Sequence, residues 1–214
     1  MTIYSMSIKS TKWRLLMPGT QRQVQKEATR KHIIKTAMNL YAEYGFSKIP
    51  TSDIAKAANV SHGSVFAHFG TQEELIEAVI NEFGSEINNR LHELAESKSS
   101  IKEVMQAHLN GLTEFENFYT RLVEEKSLLS KNAQNIFVMI QSAISFHLSQ
   151  ALERGINEGL IKKLPVHMVF NGWVGLIHYY LVNKELFAPS GSVLKRYGKD
   201  LLNYYTDLIK DNDK

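Results

Sequence analysis

The chain has no cysteine among its 214 residues, which excludes a disulfide scaffold and any thiolate metal site and fits a reducing cytoplasm. Its N-terminus has no apolar stretch of signal-peptide length. Lys9, Lys12 and Arg14 come too early, and Leu15, Leu16 and Met17 are too few, so export is not expected. Strand alternation, short repeats and Gly/Ser linkers are also missing. The eight histidines form no HExxH motif and no i,i+4 pair. His167 and His178 share a helix face, but at ~1.5 Å per residue they lie about 16 Å apart, too far for one metal. Gly-rich phosphate loops and GxSxG are absent as well. These absences leave no catalytic residue, metal ligand or cofactor to nominate, and an enzyme is not expected.

Charge is short in one sign at one end. Residues 1–35 hold eight cations, Lys9, Lys12, Arg14, Arg22, Lys26, Arg30, Lys31 and Lys35, against the single acid Glu27. That surplus of +7 leaves −4 for the rest of a chain whose total is +3. A basic end is the footprint of a nucleic-acid binder, because releasing counterions from phosphates favours association with any sequence. A solvated tail whose charge only aids solubility is the other reading of residues 1–20. Met6 or Met17 are alternative starts to Met1.

What is present is helical throughout, and its densest signal is the run from Thr51 to Leu75, TSDIAKAANVSHGSVFAHFGTQEEL. Thr51 is expected to cap a short helix, with Asp53 favourable in its first turn. Ile54, Ala58, Val60 and Val65 supply an apolar face, and Ala55 is small enough for a second helix to cross closely. Asn59 falls where the turn needs a left-handed residue. The spacing is that of a helix-turn-helix whose second helix starts near Ser61, with His62, Gly63 and Ser64 facing outward.

From about Ile33 to Ile80 the chain resembles the DNA-binding domain of the tetracycline-repressor (TetR) family of bacterial transcriptional regulators. The resemblance rests on four ordered elements: a helix with Ala37, Leu40, Tyr41 and Gly45, then TSDIAKAANVS, GSVFAHF and a capped TQEEL. It implies that Ser52, His62, Gly63 and Ser64 lie near base edges, and Thr51, Ser61, Phe66 and His68 near phosphates. Phe66 stands where the family usually has Tyr, Gln72 where it has Lys, and Asn59 where it has Gly. A hydroxyl and a cation expected on phosphate are therefore both missing. Phe69 is expected in the core.

The first helix is expected from near Arg22 to Tyr44, with Ile33, Ala37, Leu40, Tyr41 and Tyr44 buried and Gly45 as its stop. Thr71 and Glu74 open a long fourth helix through Ile76, Val79, Ile80, Phe83, Ile87, Leu91 and Leu94. After a polar break at Ser97 to Ser100, the pattern gives helices through Ile101–Leu112, Phe115–Leu129 and Ile136–Leu152. Another starts at Pro165 and is closed by Pro189, and a last one is capped by Ser192. The expectation is all-α, about nine helices, with a basic arm at 1–21, a helix-turn-helix domain at 22–80 and a ligand-binding and dimerisation domain at 81–214.

From Met168 to Val182 the sequence is apolar nearly all round, too short to span a bilayer at ~20 residues. The final helix carries Leu194, Tyr197, Leu201, Tyr204, Tyr205 and Leu208 at steps suited to another helix. Two such helices from each of two subunits would make a four-helix homodimer interface, as in the family the chain resembles. The alternative is a thick intramolecular core. The resemblance also implies an effector pocket in the C-terminal helices, with Met105, Phe115, Phe118, Tyr119, Phe137, Phe146, His147, Trp173 and His178 as candidate lining. The expected function is a cytoplasmic, sequence-specific regulator of transcription. It binds a palindromic double-stranded operator as a homodimer, without a membrane, and is released by a small apolar or amphipathic ligand. A non-specific architectural DNA binder and an all-helical hydrophobe carrier are the alternatives.

Overall fold

The computed structural model describes residues 20–96 and 99–211. Expectations placed on residues 1–19, on Ser97 and on the Leu94 side chain lie outside the described residues. The described residues form ten α-helices: α1 (Gln21–Tyr44), α2 (Thr51–Ala57), α3 (His62–Phe69), α4 (Gln72–Glu96), α5 (Ile101–Glu114), α6 (Glu116–Glu125), α7 (Lys131–Asn157), α8 (Val166–Val182), α9 (Lys184–Phe187) and α10 (Val193–Ile209). A 3-10 turn at Lys126–Leu128 follows α6. The described residues contain no strand, and none of their helices is long and apolar enough to cross a membrane.

Six of the ten helices start where the sequence supplies a side-chain oxygen for the orphan N–H groups of the first turn. Thr20 and Gln23 form a reciprocal capping box on α1, and Ser100 and Glu103 another on α5. Ser61, Ser130 and Ser192 accept from the N–H three residues on. Thr71 accepts the Glu74 N–H at 3.1 Å at the start of α4. Pro165 sits just ahead of α8.

Two expectations are corrected. Tyr44 is 46% exposed, because the buried stripe of α1 runs through Ile33, Ile34, Ala37, Met38 and Tyr41, and the chain leaves the helix at Gly45. The helix expected to continue to Pro189 breaks at Asn183, whose side-chain amide folds back onto the Tyr179 carbonyl at 2.7 Å. This splits off α9 and raises the count from nine to ten.

The long α4 is central. Its first half holds Leu75, Ile76, Val79 and Ile80 beside α1 and α3, and its second half holds Phe83, Ile87 and Leu91 against α5 and α7. Close approach explains two glycines. A Cβ at Gly84 would meet Ile140 of α7 at 2.5 Å, and one at Gly111 would meet Ile87 of α4 at 2.7 Å. α6 lies between α1 and α8, and α10 between α5 and α8. The buried Glu116 carboxylate fixes the start of α10 by accepting from Val193 N–H (2.8 Å), Leu194 N–H (2.9 Å) and Ser192 Oγ (2.5 Å), an anion at a helix N-terminus.

Candidate functional site

The turn between α2 and α3 is made by Asn59 at φ 53°, the left-handed conformation that Asn tolerates. Val60 N–H returns to Ala55 carbonyl at 3.0 Å, and His32 of α1 donates to the Ala58 carbonyl at 3.0 Å. Ile54, Ala55, Ala58, Val65 and Phe69 are buried behind this turn. α3 is thereby held as a rigid rod with its other side to solvent.

That outer side brings together most of the residues nominated from sequence. Ser52, Ser61, His62, Gly63 and Phe66 are exposed, while Ser64 and His68 are half-buried. Ser61 caps α3, accepting Ser64 N–H at 3.1 Å. His62 and Phe66 pack edge to face with centroids 4.8 Å apart. Phe66 keeps 43% of its surface in solvent. A Cβ at Gly63 would meet nothing nearer than Ser61 Oγ at 4.0 Å, so the chain itself does not require glycine there.

Thr51 differs from expectation. Pro50, in an extended conformation, takes the cap position, and Thr51 becomes the first helical residue. Thr51 is only 6% exposed, and its hydroxyl shares a hydrogen bond with His62 Nε2 at 2.9 Å. It therefore aims His62 from behind and does not present its hydroxyl at the surface. Gln72 is also engaged: its amide donates to the Ile49 carbonyl at 3.1 Å, tying the start of α4 to the segment entering α2.

The flank of α3 is cationic. Lys26 and Arg30 of α1 line a cleft with Gln23, Glu27, Ala67 and His68, and the Arg30 guanidinium stacks over Phe69 at 5.1 Å. His68 is pushed below the ordinary histidine range by burial, then by Lys26 and Arg30, with Glu27 opposing.

In the C-terminal helices, Met105, Phe118, Tyr119, Phe137 and Trp173 are buried, and Phe115, His147 and His178 are partly so. Phe146 instead lies on the outer face of α7, 60% exposed, because the inward stripe of that helix runs through Ile140, Ile144 and Leu148. Two polar groupings sit inside. The Tyr119 hydroxyl meets His178 Nε2 at 2.7 Å and accepts from Gln141 at 2.9 Å. Trp173 Nε1 donates to Nδ1 of the fully buried His108 at 3.2 Å. Burial and the nearby His178 lower His108 to about 3, and burial and Lys126 lower His178 to about 4. Burial raises Tyr119. His108 escaped the sequence reading because one histidine on an apolar helix face carries no signal. Glu125 escaped likewise, although its carboxylate accepts Phe46 N–H from the loop between α1 and α2. The described residues contain no group of three or more His, Cys, Asp or Glu able to hold a metal.

Residues 33–79 match the family model described as bacterial regulatory proteins, tetR family. The chain is 36% identical over 78 residues to the HTH-type transcriptional repressor Rv3405c of Mycobacterium tuberculosis, a stretch covering 35% of this chain and 42% of that protein. It spans about half the length of the first curated relatives it matches. Among solved structures, reduced NemR of E. coli superimposes with a TM-score of 0.72 at 20% identity, covering 87% of this chain and 100% of the other. FadR of Bacillus subtilis in complex with stearoyl-CoA superimposes with a TM-score of 0.68 at 20% identity, covering 84% and 98%. The ordered helix-turn-helix, its sequence match and the all-helical fold around it agree, and residues 33–79 form a DNA-binding domain of the kind found in bacterial regulatory proteins of the tetR family.

Proposed function

We propose that the protein is a transcriptional repressor that binds a two-fold symmetric DNA operator as a homodimer and is released from it by a small effector held among the C-terminal helices. The observation that carries this reading is the outer side of α3. His62, Gly63 and Phe66 face solvent on a helix whose other side is buried, with Lys26 and Arg30 alongside. A recognition helix presents its N-terminal residues to base edges in this way, while flanking cations meet phosphates. Ser52, His62, Gly63 and Ser64 read bases in this proposal. Ser61, Phe66 and His68 lie along the backbone, and Thr51 acts through His62.

The dimer forms through α8 and α10. Met168, Gly175, Tyr179 and Val182 on one and Tyr204 and Leu208 on the other are exposed apolar or small residues on adjacent helices. A helix-turn-helix dimer places its reading helices about 34–36 Å apart. The division into a DNA-binding unit (22–80) and an effector unit (81–214) then falls inside α4, which spans both. An effector pressed against Phe83 would tilt α4 and change the spacing of the reading helices. Ligand and DNA must each weaken the other's binding by the same factor. The protein works in the cytoplasm, where its DNA is.

Selection of duplexes from a random pool tests the reading. The expected result is one palindromic consensus, protected symmetrically in footprinting, with specific binding at least about a thousandfold tighter than to random DNA. Uniform binding to all duplexes would refute it.

A further inference from the structure

We propose that His108 is the point at which the C-terminal core recognises its effector, and that the effector is an uncharged molecule bringing an acceptor oxygen of the carbonyl, ether or hydroxyl kind to His108 Nε2. This rests on the reading that the C-terminal helices hold an effector, and it names the chemical class. Trp173 Nε1 is a donor only, so the 3.2 Å bond makes His108 Nδ1 the acceptor. A neutral imidazole with Nδ1 accepting carries its proton on Nε2. That N–H is fully buried and has no hydrogen-bond partner among the described residues. Buried donors are nearly always satisfied, and an exception points to something that binds there.

The neighbouring groups define what can satisfy it. The Tyr119 hydroxyl accepts from the Gln141 amide and shares a hydrogen bond with His178 Nε2. Those groups are committed to one another, and His108 is the one left open. A water at Nε2 would need at least one further polar partner, and Trp173 Nε1, the Tyr119 hydroxyl and the Gln141 amide nitrogen already have partners. An anion is disfavoured for a separate reason. His108 and His178 are both held neutral near pH 7 by burial, and the one cation felt there, Lys126, acts on His178 and not on His108, so a carboxylate at His108 Nε2 would meet a donor without a paired charge, and burying an unpaired charge is costly. Met105 and Trp173, both buried on the neighbouring turns and helix, supply apolar surface for the body of the molecule.

The test uses the full chain and three probes of one shape: acetophenone, isopropenylbenzene, in which the carbonyl oxygen is replaced by CH₂, and benzoate. Binding is read by tryptophan fluorescence and by the His108 imidazole N–H signal in histidine-labelled NMR. The ketone should bind about tenfold tighter than the alkene, as one hydrogen bond allows, and benzoate weakest. The N–H signal should shift with the ketone alone. His108→Asn keeps an acceptor for Trp173 and removes the Nε2 donor, so the preference should disappear. His108→Gln restores a donor near Nε2, so the preference should return. If the variants do not fold, the wild-type N–H signal decides. Equal binding of ketone and alkene, tightest binding of benzoate, no binding of any probe, or an N–H signal that responds only to water would each overturn the proposal. Binding of a selected duplex is measured on the same preparation. DNA binding without ketone preference removes this inference and leaves the repressor reading. Ketone preference without DNA binding does the reverse.

Discussion

Glu125, the last residue of α6, holds the backbone of Phe46, 79 positions earlier in the chain: its carboxylate accepts Phe46 N–H at 3.0 Å, and Ser47 N–H and Oγ at 3.4 Å. Phe46 also stacks on Tyr41 and meets Phe118 of α6 edge-on at 5.6 Å. α6 therefore grips the loop between α1 and α2 directly, alongside the route through α4. Glu125→Ala leaves two backbone donors unpaired and should cost about 1–3 kcal/mol in urea unfolding. If α6 transmits the effector signal, the same variant should also weaken the coupling between effector and operator in a competition titration.

Gly63 separates folding from DNA binding. Gly63→Ala puts a methyl into open space in the first turn of α3, so thermal unfolding should be unchanged or raised by roughly 0.5–1 kcal/mol. In the proposed complex operator affinity should fall at least about tenfold, since the methyl would stand between α3 and the groove. Unchanged operator affinity would move the contact elsewhere.

His62→Ala should reduce discrimination between operator and random duplex by about 1–3 kcal/mol, the value of a base contact. It also leaves the buried Thr51 hydroxyl without its partner. The double variant with Thr51→Val should regain stability but not specificity, measured by unfolding and by duplex competition.

For the dimer, Gly175→Glu and Leu208→Glu place charge on exposed positions of α8 and α10 and should give folded monomers in sedimentation. Leu201→Glu should instead unfold the chain, because Leu201 is buried within it. Dimers that survive both exposed substitutions would place the interface elsewhere.

Stability should fall on the acid side of neutrality. His108 stays neutral in the folded chain down to about pH 3, whereas in the unfolded chain it takes up a proton below about 6.5. The unfolded state then binds more protons, so stability is fully present above about pH 6.5 and is lost as pH falls. His108 alone removes about 2 kcal/mol by pH ~5. His178 acts in the same direction. Urea midpoints at the two pH values should show the loss, and His108→Leu should flatten it.

The helix-turn-helix was legible because its residues act locally. Asn59 at the turn, Ser61 at the cap and the buried Ile54–Val65 face all lie within one short span, and so did the caps at Thr71, Ser100 and Ser192. What escaped depends on partners far along the chain. Thr51 reads as a cap until Pro50 takes that place and His62 folds over it. Tyr44 fits the apolar stripe of α1 by spacing, yet the packing of that helix turns it outward, and Phe146, nominated as pocket lining, falls between the inward positions Ile144 and Leu148 of α7. Glu116, Glu125 and His108 are ordinary letters whose roles come from Val193, Phe46 and Trp173, 77, 79 and 65 positions away.

The Tyr205 hydroxyl donates to the Val169 carbonyl at 2.6 Å, and a Cβ at Gly172 would meet that hydroxyl at 2.5 Å. The missing side chain at 172 lets the Tyr205 ring of α10 reach the backbone of α8 and pin the two helices together. The two helices are thus fastened within a single chain before a second copy arrives. In the proposed dimer, assembly is then a collision of two finished surfaces, with little chain ordering left to do at the encounter. Mixed subunits should exchange at a rate set by separation of those surfaces, and the exchange should not require either chain to unfold.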